Sequence, residues 1–382
     1  GAVDLGITVA LVPADTPGVV TGERHYTGLQ AFPNGPTTGA HVFVPLDRGI
    51  GGPAGVGQGW KMLVTALAAG RGIMLPAMAQ AGMKVAAFST GAYGRIREQF
   101  NLPLSRFEGI QEVAARIAGE AYKMDAARRL TLAAIDAGEK PAVVSGIMKY
   151  QATERLRRTI NDAMDVHAGK AVIDGPKNYL SSTYRAIPIA ITVEGANIMT
   201  RSLMIYGQGS IRCHPFLQKE IEAANNPDET QAVREFDGLL GRHAGYVLKV
   251  LALAVGRAWT AGRLAAAPVD GPTAAYFRQL KRLSAALALT SEAAIVTLGG
   301  ALKRKEMISA RLGDALSELY IVSAMLKQFD DRDCPADELP LLDYACRSSL
   351  NAAEEALKGV IVNFPVRPVG WLLKLAVQPF GV

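Results

Sequence analysis

One carboxylate stands by itself in the interval Ala186–Thr200, which reads Ala-Ile-Pro-Ile-Ala-Ile-Thr-Val-Glu-Gly-Ala-Asn-Ile-Met-Thr, with Arg185 and Arg201 as the nearest charges. An acid in apolar surroundings is disfavoured as an anion, so its pKa climbs toward neutrality. That is the tuning a general base needs. Glu194 is therefore the first candidate for chemistry. The plainer reading makes it the cap of the helix that follows Gly195, helped by the helix dipole.

Two arginines come next, Arg71 in Ala69-Gly70-Arg71-Gly72 and Arg97 in Tyr93-Gly94-Arg95-Ile96-Arg97-Glu98-Gln99-Phe100. Guanidinium forks suit phosphates and carbonyls, although a surface role is the commoner fate of such residues. The Gly-rich run Gly49–Gly59 ends where a helix begins at Trp60. It lacks a Walker lysine and a following strand–helix–strand unit, so it reads as a sheet-to-helix connection. The histidines His25, His41, His167, His214 and His243 have no metal-ligand spacing, and no metal site is expected. No GxSxG elbow is present.

These side chains need a scaffold, and the chain is long enough for one. Its 382 residues allow two or three domains, and 49% apolar with 20% charged residues is a globular profile. Cys213, Cys334 and Cys346 are too scattered for a disulfide framework, which fits a reducing compartment. The net charge of +6 admits anionic partners. The basic runs Arg155–Arg158 and Lys303–Lys305 lack interleaved aromatics and read as solvated helix faces, so nucleic acid is not expected. No uncharged apolar run reaches the roughly 18 residues of a membrane span. No signal peptide is read, and the chain opens at Gly1 directly in strand-like sequence, like a cut edge.

Residues 1–50 read as β, with Ile7–Val12 and His41–Val44 as strands and Phe32–Pro36 as a turn. From Trp60 apolar residues recur at helical spacing through 60–93, 109–137, 142–168 and 187–206, four long helices that suggest a bundle. An acidic break after Pro215 precedes further helices to about 360, with a second break at Asp330–Pro340. The expected fold is mainly α with a small β portion: a partial β-domain over 1–55, a four-helix bundle over 56–215 and an extra helical C-terminal domain over 216–382.

Four stretches in this order resemble the acyl-CoA dehydrogenase family, closest to its bacterial long-chain β-oxidation members with an added C-terminal domain. They are Phe32–Thr37 through His41–Pro45 to Gly51-Gly52 and Gly59-Trp60; Gly70-Arg71 with Arg97-Glu98-Gln99-Phe100; Asn161–Lys170; and Val193-Glu194-Gly195-Ala196-Asn197. Gly207-Gln208-Gly209 and Arg212–Pro215 extend the match.

The resemblance implies FAD-dependent α,β-dehydrogenation of medium- or long-chain fatty acyl-CoA to the trans-2-enoyl-CoA. Glu194 would take the α-proton while the flavin N5 accepts hydride from the β-carbon. Arg71 would line the acyl-CoA site, Arg97 and Phe100 would meet the cofactor, and Asp165, Val166, His167 and Gly169 would reach the cofactor of a neighbouring subunit in a homodimer. The family's Gln-x-x-Gly-Gly is here Asp165-Val166-His167-Ala168-Gly169, its Thr after Glu-Gly is Ala196, and the Gly after Arg-x-x-Phe is Asn101.

Electron-transfer flavoprotein is the implied acceptor, and the implied location is the cytoplasm, peripheral on the inner membrane. The resemblance also implies an N-terminal helical domain and a first half of the β-domain beyond this sequence, so the chain alone is expected not to hold FAD. The cationic, Trp-bearing segment Asn363–Leu375 could rest on an anionic membrane or pack on its own domain. The competing functions are a non-catalytic helical interaction or membrane-docking module, and an acyl-CoA oxidase.

Overall fold

The computed structural model describes residues 4–31 and 33–380. Its helical content of 71% against 4% strand makes it mainly α with a small β portion. The strands form two antiparallel pairs near the start. β1 (Val19–Thr21) pairs with β4 (Thr37–Gly39), and β2 (His25–Tyr26) with β3 (Pro33–Asn34). A third pair, β5 (Glu98–Gln99) with β6 (Leu102–Pro103), is a small hairpin beyond the second helix.

The two runs expected as strands behave differently. Ile7–Val12 contributes an isolated bridge, Ala10 opposite Gly49, and backbone bonds from Leu11 to Arg48 and from Ile50 to Val9. His41–Val44 forms no ladder, and His41 itself sits at φ 52°, outside the pleat. A β-branched run becomes a strand only where a neighbouring edge accepts its hydrogen bonds. In the expected turn at Phe32–Pro36, Pro33 and Asn34 are ladder residues and the turn lies before them, closed by the Gln30 N–H on the Thr27 carbonyl at 3.0 Å; Phe32 lies outside the described residues.

Helix α1 (Gly59–Ala69) passes through a π-turn at Gly70–Met74 directly into α2 (Leu75–Ile96). Helices α3 (Glu108–Asp136) and α4 (Ala142–His167) follow; then come the single turn α5 (Gly169–Val172) and α6 (Ser181–Thr192). Ala79, Met83, Ala86, Thr90 and Gly94 recur at helical spacing on α2 and are buried. On the opposite side Met78, Val85 and Phe88 are exposed, seven and three residues apart, a spacing that keeps them on one stripe of α2.

The run 187–206, expected as one helix, is two. α6 stops at Thr192, and α7 (Asn197–Met199) continues into a π-helix at Thr200–Gln208 and α8 (Gly209–Cys213). Glu194 at φ 56° and Gly195 at φ 96° end the right-handed path. Hydropathy cannot register that break, because both flanks are equally apolar.

The acidic stretch 216–235, expected as a break before the helices, is itself largely helical. α9 (Leu217–Ala224) lies inside it and α10 (Glu229–Trp259) begins within it, followed by α11 (Ala274–Leu298), α12 (Glu306–Asp330), α13 (Leu339–Val362) and α14 (Arg367–Val377). Asp228 caps α10, its Oδ1 accepting from the backbone N–H of Thr230 at 3.0 Å and Gln231 at 3.1 Å. These helices share the bundle's core. Leu312, Ala315, Val322 and Met325 of α12 belong to one buried cluster with Met83, Met124 and Met148. At Gly119 of α3 a Cβ would come within 2.8 Å of the Tyr344 ring of α13, so a glycine is required for that approach.

Two expectations change here. Arg155 is buried rather than solvated: it pairs with Glu120 of α3 and Glu318 of α12, while Arg157 and Arg158 stay exposed. A basic run on a helix spans more than one face, and α12 covers one of them. With up to two charges tolerated, Gly59–Ile96, Glu229–Trp259 and Ala274–Arg304 are each long and apolar enough to cross a membrane. The requirement for an uncharged run passes over them.

Candidate active site around Glu194

Glu194 sits on the turn between α6 and α7, half-buried. The capping alternative fails on geometry, because the residue at the N-cap of α7 is Ala196 and no side chain makes a cap bond there. One carboxylate oxygen, Oε2, is buried without a hydrogen-bond partner among the described residues. The carboxyl lies against Gly70, where any Cβ would collide with it, so a glycine in the π-turn makes room for the acid. Burial pushes the Glu194 carboxyl above the usual carboxylate range; the charges of Arg71 and Lys149 act in the opposite sense without cancelling it.

Arg71, expected to line the acyl-CoA site, is here. It is buried on the same π-turn, and its Nε donates 2.7 Å to the Glu194 carbonyl, tying the turn's backbone to the bundle. Burial lowers the pKa of Arg71 although the charge of Glu194 opposes this, so both groups sit in a partly dry setting. The next residue, Gly195, has its carbonyl bonded by Thr200 Oγ1 at 3.1 Å and by Lys149 Nζ at 2.7 Å.

Arg97 and Phe100 are elsewhere. Both are exposed, on and beside the β5–β6 hairpin at the far end of α2. At ~1.5 Å rise per residue, α2 alone separates them from Arg71 by about 33 Å. The segment 165–169 lies at that same end, because His167 of α4 stacks on Tyr93 of α2 with ring centroids 4.3 Å apart. Val166 and His167 are buried there; the His167 ring nitrogens lie 2.7 Å from the Ala163 carbonyl oxygen and 2.6 Å from the Tyr179 hydroxyl. Asp165 and Gly169 are exposed. The residues singled out by sequence thus form two groups at opposite ends of the bundle, Glu194 with Arg71, and Arg97 and Phe100 with 165–169.

Lys149, Asn197 and Thr200 were not legible as site residues. A lone cation in the otherwise uncharged stretch Ala142–Thr153 was the available signal. A cavity of about 530 Å³ lined by Tyr150, Glu154, Ile191, Asn197, Arg201 and Met307 opens beside the turn; Glu194 is not among its lining residues.

The fold also gathers residues that no spacing connects. Ligand-type atoms of His214, His243 and Glu292 lie within 4.8 Å of one another. Backbone N–H groups of Phe216 and Leu217 both donate to His214 Nδ1 at 3.1 Å, so its proton is on Nε2, given to Glu292 at 2.6 Å. His243 faces Glu220 at 2.8 Å and Glu292 at 3.1 Å; burial pulls its pKa down, but the two carboxylates outweigh this and raise it. A metal on His214 Nε2 would strip a proton from a ring whose other nitrogen already accepts two bonds. The cluster is a proton-bearing clamp across α9, α10 and α11.

Comparison with known proteins agrees with this architecture. Residues 57–207 match the model of the acyl-CoA dehydrogenase C-terminal domain, and residues 211–382 that of the acyl-CoA dehydrogenase C-terminal region of bacterial type. The chain is 29% identical over 167 residues to the probable acyl-CoA dehydrogenase YngJ of Bacillus subtilis (strain 168), covering 43% of this chain and 42% of that protein. A stretch of 87 residues is 55% identical to protein HemX of Proteus mirabilis, covering 23% of this chain and 51% of that protein.

The solved acyl-CoA dehydrogenase complexed with FAD from Bacillus anthracis superposes with a TM-score of 0.75 at 18% identity, over 98% of this chain and 62% of that one, a likeness of fold. The chain spans about half the length of the curated relatives it matches. With two models of one family covering residues 57–207 and 211–382, the chain belongs to the acyl-CoA dehydrogenase family.

Proposed function

We propose that this chain provides the catalytic base and part of the cofactor surface of an FAD-dependent enzyme that desaturates acyl-CoA thioesters between Cα and Cβ. The observation that carries the reading is the half-buried Glu194 carboxyl, with an unpartnered buried oxygen, on a left-handed turn tied down by Arg71. An acyl α-proton is far too weakly acidic for a carboxylate in water. A polarised thioester carbonyl lowers that barrier, and a dry site raises the base toward it. Bound FAD supplies the two-electron acceptor. Glu194 holds the abstracted proton, and Arg71 keeps the turn in register.

The cofactor fits this chain in a divided way. Arg97, Phe100, Asp165 and Gly169 offer an exposed surface, while Val166 and His167 support it from beneath. With Glu194 at the other end of the bundle, one flavin cannot touch both groups of a single chain. That separation supports a homodimer in which each chain's cofactor-side residues serve its partner's flavin. A medium or long fatty chain as the acyl group, and electron-transfer flavoprotein as acceptor, rest on the resemblance.

The test uses the intact enzyme with acyl-CoA esters of graded length, without oxygen. Bleaching of the flavin absorbance is the expected result, and a flavin unmoved by every acyl-CoA would leave the idle-module reading. Stoichiometric hydrogen peroxide in air would instead make the protein an oxidase.

For location, we propose peripheral contact with an anionic inner-membrane surface through α14. Its Gly370, Leu373 and Val377 face the protein, while Trp371, Leu372 and Leu375 are exposed beside Lys374 and Arg367. Trp259 and Phe380 extend the patch, with ring centroids 5.9 Å apart. Flotation with anionic but not neutral vesicles, abolished by serine at 371, 372 and 375, is the expected outcome; equal flotation of that variant removes the proposal.

A further inference from the structure

Lys149 is completely buried in α4, and its ammonium meets three acceptors. They are the carbonyl oxygens of Ile191 at 3.0 Å and Gly195 at 2.7 Å, and Asn197 Oδ1 at 2.6 Å. An ammonium has three N–H bonds, so every donor has a taker. The three acceptors bracket Glu194 on both sides in the chain.

Asn197 cannot turn its amide away. Its Nδ2 donates to Thr153 Oγ1 at 3.0 Å and to Glu154 Oε1 at 2.9 Å, which points Oδ1 at Lys149. Lys149, Thr153 and Glu154 lie about one turn apart on α4, so a single rigid helix grips the turn. Such a grip is needed. A glutamate at φ 56° is in the left-handed region, which is strained for non-glycine residues and persists only when its surroundings enforce it.

We propose that Lys149, as an ammonium, is the positioning residue of the Glu194 base, clamping the strained turn so that its carboxyl is presented in one place. The kinetic part of this inference rests on Glu194 being the base; the clamp itself rests on geometry.

Burial brings the Lys149 ammonium down to about 8, with Glu194 and Glu154 opposing and Arg71, on the facing π-turn, adding to the fall. Above that pH the neutral amine has two N–H bonds for three acceptors and turns a lone pair toward one oxygen. One tie to the turn is then lost. The sign for stability is separate. A lysine whose folded pKa is depressed favours the fold more as pH rises between its folded and unfolded values. An alkaline decline in turnover without loss of fold is therefore the signature of the clamp.

The experiment compares wild type, Lys149→Met and Glu194→Gln in the intact enzyme. Lys149→Met is expected to lower kcat about 10²-fold, as for a displaced catalytic group, with KM little changed. The wild-type alkaline limb near pH 8 should be missing from its profile. Independently of turnover, the 13C-carboxyl signal of Glu194, assigned by its loss in Glu194→Gln, should titrate higher in Lys149→Met because a positive neighbour has gone.

Wild-type kcat together with an unmoved Glu194 titration in Lys149→Met overturns the clamp. If Glu194→Gln turns over normally, the base assignment fails while the carboxyl titration still decides the clamp. Should Lys149→Met not fold, the wild-type profile decides. A limb near pH 8 with unchanged circular dichroism supports the clamp, and a flat profile from about pH 7 to about pH 10 overturns it.

Discussion

Glu194→Gln is expected to slow acyl-CoA-dependent flavin bleaching by about 10²–10⁴-fold, the usual worth of a positioned general base. Glutamine keeps the shape and packs against Gly70 as the acid does, but it cannot take a proton. Stopped-flow measurement of the bleaching rate in the intact enzyme reads the effect directly. The same variant should not be less stable. A carboxyl whose folded pKa is raised binds its proton more tightly in the native state than in the unfolded chain, so stability falls as pH rises through that window. Above that window the ionised Glu194 is a cost to the fold that a neutral amide avoids. Lost activity with retained or improved thermal stability is thus the expected pair of results. A bleaching rate within about threefold of wild type would remove Glu194 from the chemistry.

The second large effect is structural. Arg155 joins Glu120 of α3 to Glu318 of α12 with almost no water around it, and Gln151 accepts from its Nε at 3.1 Å. Burial alone would lower the arginine's pKa and raise that of Glu120. The pairing outweighs it, lifting Arg155 and bringing Glu120 down to about 2 with help from Lys123. Arg155→Met should cost about 3–5 kcal/mol, because it strands two carboxylates with a single buried lysine for company. The comparison that isolates the cause replaces Glu120 and Glu318 by leucine and Lys123 by methionine together with Arg155→Met, because Lys123 is buried and pairs with Glu120 at 2.8 Å. A buried ion network exchanged whole for apolar groups is often neutral, so much of the loss should return. Urea unfolding midpoints would show both effects. An Arg155→Met midpoint equal to wild type would mean that the network contributes nothing to holding α12 on the bundle.

Much of the architecture was open to reading in one dimension. Long amphipathic periods from Trp60 onward, punctuated at Gly138–Pro141 and at the acidic breaks, specify helices because burying a stripe of one face is a local property. Glu194 stood out for a similarly local reason, as the one acid in an uncharged interval. The strand expectations at Ile7–Val12 and His41–Val44 failed where a local property does not suffice, since a strand is defined by its partner.

Tertiary structure decided the rest. Which side chains meet across helices depends on packing angles and register. No spacing reveals that Lys149 lies under a turn more than forty residues later, that Arg155 is enclosed by α12, or that His214 and His243 share Glu292. Composition marked the carboxylate; the convergence of α4, the π-turn at Gly70–Met74 and the left-handed turn after α6 placed it in a half-dry setting beside two cations, where a carboxyl can act as a base.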